Sequence, residues 1–144
     1  MMNTKTEGII SVDDLININI SEVILNLSKR IENINKIYKY SQFEYDWNLN
    51  GAEPFSKELI RIAWEKINRL EKQPNVFPTA CGSIQFEYSG DDGNYLEFEI
   101  YEDRIEMFKI INKTEFEKTL SISEDLNEII NEFKQNRTSN IRGE

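Results

Sequence analysis

The sequence predicts an α+β domain: an antiparallel β-meander of three to four strands with helices packed on one face. Three observations carry that prediction. Apolar residues recur at helical spacing up to about Tyr40, and again after Ser56. From Ile84 to Met107 the pattern changes to strict alternation, the signature of strands with one buried face. After Ser121 it returns to helical spacing. The length of 144 residues is one domain's worth and is enough to bury a core without a metal or disulfide staple. With 11% aromatic residues, the high charged fraction of 30% does not imply wholesale disorder.

Residues 1–10 are polar except at their end and are expected to form a flexible N-terminus. They contain no apolar h-region of a secretory leader. The segment from Ser11 to Asn19 carries two patterns. Ile16, Ile18 and Ile20 alternate as in a strand, whereas Ser11 followed by Asp13 and Asp14 reads as a helix start. Helix is the reading preferred here, because the next segment is helical. Val23, Leu27, Ile31, Ile34 and Tyr38 follow in steps of three or four, and this helix is expected to end between Tyr40 and Phe43.

The stretch DWNLNGAEPFS (Asp46 to Ser56) reads as a turn leading into a second helix. Asn48, Asn50 and Gly51 are turn formers, and Pro54 disfavours helix at Glu53. Ser56 is placed to cap, Glu58 favours the first turn, and Phe55 can staple onto Ile60. The helix should run to about Lys72 with Leu59, Ile60, Ala63, Trp64, Ile67 and Leu70 on one broad face. Trp47 is expected to pack at the seam between the helices and the sheet. Pro74 to Ser83 reads as a loop, and within it Cys81 as a small, partly buried residue.

Ile84, Phe86 and Tyr88 then alternate with Gln85 and Glu87. After the turn SGDDGN, Leu96, Phe98 and Ile100 alternate with Glu97 and Glu99. A two-residue turn at Glu102-Asp103 leads to Ile105 and Met107 flanking Glu106. Charge favours a register with Glu87 opposite Tyr95 and Gln85 opposite Glu97, since like charges directly opposed are destabilising. The second turn nevertheless sets Glu99 opposite Glu106 unless a bulge intervenes. Phe116, Leu120 and Ile122 are candidates for a fourth strand. Ser121 and Glu124 form a capping-box pair before Leu126, Ile129, Ile130 and Phe133. Residues 135–144 are polar and expected to form a flexible tail, so the domain proper spans 11–134.

Composition excludes several chemistries. There is no histidine, which removes every histidine-based triad, base and metal site. A single cysteine allows neither an internal disulfide nor a cysteine-rich zinc site. The six glycines form no phosphate-cradling motif, and no basic patch interleaves with aromatics. No cofactor, catalytic residue or metal ligand is therefore assigned, and neither direct nucleic-acid contact nor membrane insertion is expected. A cytoplasmic location is expected.

The net charge of −9 is unevenly placed. Between Ser83 and Met107 stand eight acids (Glu87, Asp91, Asp92, Glu97, Glu99, Glu102, Asp103, Glu106) against one base, Arg104, leaving −7. By strand parity Glu87, Tyr95, Glu97, Glu99, Tyr101, Glu106 and Phe108 share one face. Two readings follow. One is a solvated outer face whose acids also blunt edge pairing. The other is a recognition surface: aromatic anchors among acids suit capture of a basic protein surface, such as that of a toxin or a nucleic-acid-binding protein. A polyanionic surface can also imitate nucleic acid. An enzyme alternative is a carboxylate-metal hydrolase using Asp91, Asp92, Glu97 and Glu99. It lacks the nearby base such a site usually carries, since no Lys or Arg lies between Lys72 and Arg104. A third alternative is a subunit of a homo-oligomer joined through the sheet edge.

The residues Trp47, Gly51, Ala52, Pro54, Pro78, Thr79, Gly82, Ile84, Glu87 and Tyr88 together resemble the signature of a family of small bacterial proteins of no established function. Its pattern is Trp, Gly-Ala and Pro before a helix, a Pro-Thr loop, then a Gly, Ile and Glu-aromatic strand and a hairpin. The resemblance covers about half of the chain, from Asp46 to Phe108. This chain departs from it with Tyr88 where many relatives have Trp, and with Glu102-Asp103 where they have Asp-Gly. The resemblance implies a bacterial, phage or plasmid setting, in which small acidic proteins often inhibit or neutralise a partner. It implies no catalytic residue.

Overall fold

The computed structural model describes the backbone of residues 11–142 and the side chains of 11–17 and 19–135. The chain runs α1 (Val12–Ser41), α2 (Lys57–Arg69), β1 (Asn75–Pro78), β2 (Ile84–Ser89), β3 (Tyr95–Ile100), β4 (Ile105–Ile111), β5 (Thr114–Leu120) and α3 (Leu126–Arg142). The strands form one antiparallel meander in the order β1-β2-β3-β4-β5. The α+β expectation holds, with five strands rather than three to four.

The added strand is β1, inside the segment expected to be a loop. Val76 is buried, and its carbonyl accepts from the Tyr40 hydroxyl at 3.3 Å. Pro78 lies at the end of this edge strand, where a missing N–H costs no ladder bond. The fourth strand expected near Phe116 to Ile122 is β5, which ends at Leu120. Asn112 and Lys113 join β4 to β5 with φ of 50° and 67°. Positive φ at both central residues is the hairpin turn whose twist matches that of its strands.

Residues 11–41 resolve the strand-or-helix ambiguity as one cap and one 30-residue helix. The Ser11 hydroxyl accepts from the Asp14 amide at 3.1 Å. Of the expected stripe, Ile34 packs against the core, but Val23, Leu27, Ile31 and Tyr38 are exposed. α1 docks instead through Asn33, Ile37 and Tyr40, a face turned roughly 100° away at 100° per residue. Arg30 fixes this orientation by donating to the carbonyls of Asn68 (2.9 Å) and Leu70 (2.8 Å) at the end of α2.

In α2, Ser56 caps as expected, accepting from the Leu59 amide at 3.1 Å. Leu59, Ile62, Ala63 and Ile67 are buried, and the helix ends at Arg69 rather than Lys72. Trp64, placed on the core face by sequence, is half exposed. A 100° step explains this, because Trp64 lies about 100° from Ala63 at the centre of the buried arc.

The capping box expected at Ser121 and Glu124 does not form. The Ser121 hydroxyl accepts from Ser123 N, and the helix begins five residues later. The Asp125 carboxylate, immediately before the helix, accepts from Asn127 N at 3.0 Å. α3 continues to Arg142, through most of the stretch expected to be a tail. Residues 1–10 and 143–144 lie outside the described residues.

All three helices bury apolar residues on the same face of the sheet: Ile37 and Tyr40 from α1, Leu59 and Ile67 from α2, Leu126, Ile130 and Phe133 from α3. They meet Val76, Ile84, Phe86, Tyr88, Leu96, Phe98, Ile100, Ile105, Met107 and Leu120. No described helix packs on the opposite face of the sheet.

Candidate functional site: the acidic outer face of the sheet

Side-chain alternation puts Gln85 and Glu87 of β2, Tyr95, Glu97 and Glu99 of β3, and Glu106 and Phe108 of β4 on the uncovered face. All are of intermediate exposure, and the inner-face residues of β2 and β3 that alternate with them are buried. Tyr101 follows β3 on the same side, and its hydroxyl donates to Glu99 Oε2 at 2.9 Å. Tyr95 and Phe108 lie with ring centroids 6.4 Å apart. The seven residues singled out from sequence therefore share one surface.

The register differs from the one charge alone favoured. Ser89 pairs with Tyr95, so Glu87 lies directly opposite Glu97, and Gln85 opposite Glu99. The connecting turn decides this: the Gly90 amide donates to the Asn94 carbonyl at 2.8 Å and Asn94 N to Asp91 O at 3.0 Å. A slip by one residue would turn the slipping strand's inner face, and with it Phe86 or Phe98, to solvent, and a slip by two would leave inner-face residues unpaired. Burial of the inner face outweighs one unfavourable pair on the outer face. Glu99 lies opposite Glu106 as expected, with no bulge in this register.

Neutral donors separate the opposed carboxylates. The Gln85 side-chain amide donates both to Glu87 and, at 3.1 Å, to Glu97 Oε1. The Tyr95 hydroxyl donates to Glu97 Oε1 at 2.7 Å. Glu99 Oε2 accepts from Ser83 Oγ at 2.6 Å as well as from Tyr101. Glu106 accepts from Thr119 Oγ1 at 2.7 Å and from Arg104 Nε at 2.6 Å. The cluster is thus compensated by hydrogen bonds rather than left bare. These bonds leave traces in proton affinity. Hydrogen bonds from Thr119 and then Arg104 hold the Glu106 carboxyl below the usual carboxylate range. Partial burial, followed by the bond to Glu97, pushes the Tyr95 phenol up. Burial and then Glu99 do the same to Tyr101.

The pairing of β4 with β5 adds residues that sequence reasoning missed. Phe108 lies opposite Glu117, Ile110 opposite Glu115, and Glu106 opposite Thr119. Glu115 and Glu117 therefore extend the acidic face across a fifth strand. Two signals could have found them: the Asn112-Lys113 turn and the alternation of Glu115, Glu117 and Thr119 with Phe116, Lys118 and Leu120. Arg104 is a cation beside this face, and its guanidinium lies 4.1 Å from the Tyr101 ring centroid.

Other candidates sit elsewhere. Asp91 and Asp92 are exposed in the turn at the far end of β2, two or more residue steps along the strand from Glu97 and Glu99. Among the described residues no three His, Cys, Asp or Glu side chains stand close enough to hold a metal ion. Cys81 is exposed rather than partly buried. A groove of about 520 Å³ lies on the helical side, between α1 and Lys72, Tyr88 and Lys134, away from the acidic face. No described helix is long and apolar enough to cross a membrane.

Of the signature residues, Trp47 stacks on Phe43 at 4.8 Å and packs against Phe55 at 5.5 Å, and its indole N–H donates to the Glu53 carbonyl at 2.8 Å. Asn48 Oδ1 accepts from the amides of Asn50 and Ala52, and Asp46 Oδ1 from that of Gly51. Gly51, at φ +83°, takes a conformation that disfavours a side chain. This half of the signature builds a turn and the seam between α1 and α2. Thr79 hydrogen-bonds Ser83, which in turn donates to Glu99, so the Pro-Thr loop supports the acidic face from one end.

No family model matches the chain, and no curated protein or solved structure is found to be similar to it.

Proposed function

We propose that this protein is a binding protein rather than an enzyme, and that it captures a basic surface of another protein on the outer face of its sheet. One observation carries the reading. The helices occupy a single face of the sheet, and the open face presents Glu87, Glu97, Glu99, Glu106, Glu115 and Glu117 around Tyr95, Tyr101 and Phe108. The groups that hold these carboxylates are mostly neutral amides and hydroxyls, which fix their positions without cancelling their charge. A fixed anionic grid around half-exposed aromatics favours partners rich in Arg and Lys, through steering and through desolvated anchors. Together with the bacterial or mobile-element setting that the signature implies, this supports a role as inhibitor, antitoxin-like neutraliser or anti-defence factor. Occupying a nucleic-acid-binding protein by charge mimicry is one form of that role.

The test is affinity capture from lysate of the organism that makes the protein, using the native chain and a Glu97→Lys/Glu99→Lys variant. Loss of a captured basic protein with unchanged circular dichroism supports the assignment. Capture unaffected by the double reversal refutes it.

A further inference from the structure

The apolar face of α1 left out of the core is long and continuous, and no other described element covers it. Ile16, Ile20, Val23, Ile24, Leu27 and Ile31 expose between 49% and 64% of their surface, on a helix capped by Ser11 and docked on the domain through its C-terminal half. Tyr38, 68% exposed, extends the same face toward the helix C-terminus. Half-exposed aliphatic residues of this number, with one tyrosine, offer on the order of 500 Å² of apolar surface. That is near the upper end of what a monomer usually leaves open as one patch. A standard interface takes about 800 Å² from each partner, somewhat over half of it apolar, so the stripe supplies about the apolar share of one side.

We infer that this face pairs with the same face of a second copy of the chain, with the two α1 helices antiparallel and a two-fold axis beside Val23 and Ile24. Two features select a second copy in that orientation. The stripe is symmetric about its midpoint: Ile16 falls opposite Ile31, Ile20 opposite Leu27, and Val23 opposite Ile24, each apolar against apolar. A closed two-fold dimer requires such self-complementarity. The helix is also polarised in charge. Asp13, Asp14 and Glu22 give its first half −3, while Lys29, Arg30, Lys36 and Lys39 less Glu32 give its second half +3. Antiparallel pairing sets acidic half against basic half and opposes the helix dipoles, whereas parallel pairing stacks like on like. The acidic face of the sheet lies on the side away from the helices, so each copy keeps it free.

Light scattering and sedimentation of the full chain should give the mass of two chains. Ile20→Glu/Leu27→Glu, two exposed positions, should give one chain, with near-ultraviolet dichroism from the packed core unchanged. Because the two-fold repeats each buried charge, dimer affinity should fall more than about a hundredfold. Orientation is read independently by oxidation in a Cys81→Ser background. Ile16→Cys/Ile31→Cys should form a covalent dimer, and Ile16→Cys alone should not, since only antiparallel pairing brings residues 16 and 31 of different chains within disulfide reach. Three outcomes overturn the inference. The native chain could remain a monomer at every attainable concentration. Ile16→Cys alone could cross-link. A monomer could co-sediment with phosphatidylcholine–phosphatidylserine vesicles through this stripe.

Discussion

Replacing Gln85 by Met should destabilise the protein by about 2 kcal/mol, although Gln85 lies on the outer face and contributes little to the core. The substitution keeps an unbranched side chain of similar length and removes the amide that donates to both Glu87 and Glu97. Those two carboxylates occupy directly opposed positions. At about 5 Å their repulsion is roughly 1 kcal/mol in a water-like dielectric and about 3 kcal/mol at an effective dielectric of 20, and their partial exposure favours the lower figure. Losing hydrogen bonds to charged groups adds on the order of 1 kcal/mol after the same discount for exposure. For a chain of this size the total corresponds to a fall in Tm of roughly 6–10 °C. Urea and thermal unfolding of the native chain, Gln85→Met, Glu97→Gln and the double variant close a cycle. The Gln85→Met cost should shrink by about 1 kcal/mol in the Glu97→Gln background. It should also shrink as salt is raised from about 0.1 M to 1 M, where the screening length drops to about 3 Å. A Gln85→Met variant as stable as the native chain, or a cost unchanged by Glu97→Gln, would show that the opposed acids need no bridging donor.

Trp47→Ala, which removes the stack on Phe43 and the bond to Glu53 O, should cost about 2–3 kcal/mol by denaturant titration, below a fully buried Trp because the ring is partly exposed. Gly51→Ala should cost about 1 kcal/mol or more by the same measurement, because it forces a side chain onto φ +83° while leaving the turn's other bonds in place. Stability should fall as pH rises above about 10. Burial raises the phenols of Tyr40, Tyr88, Tyr95 and Tyr101 in the folded chain, so the unfolded chain loses these protons first and is stabilised relative to the folded one as pH rises. Tyr88→Phe should flatten that alkaline decline, read from unfolding midpoints between pH 8 and 11.

The outer face shows why a site can be read correctly while its geometry is not. Parity alone placed Glu87, Glu97, Glu99 and Glu106 with Tyr95, Tyr101 and Phe108, because side chains alternate whatever the register. Which acids oppose each other depended on a turn at Gly90 to Asn94 and on Phe86 meeting Phe98, and local charge reasoning could not weigh a buried pair against an exposed one. Glu115 and Glu117 escaped notice for a related reason. β5 is exposed along almost its whole length, so its alternation carries little apolar contrast. β1 escaped because four residues with a terminal proline look like a loop until a neighbouring strand pairs with them.

What the sequence by itself determined is whatever depends on chemistry close along the chain. That includes the caps at Ser11 and Ser56, the Asn48 to Gly51 turn, the meander's inward and outward faces, and the absence of histidine chemistry. What only the tertiary structure decided is which of several adequate surfaces is used. α1 offers an apolar stripe through Val23, Leu27 and Ile31, yet it docks through Asn33, Ile37 and Tyr40. Arg30 and Asn33 reach backbone carbonyls at the end of α2 and at Pro74. Pairing these carbonyls favours that face, whereas an exposed apolar stripe leaves no polar group unsatisfied, and periodicity records neither preference.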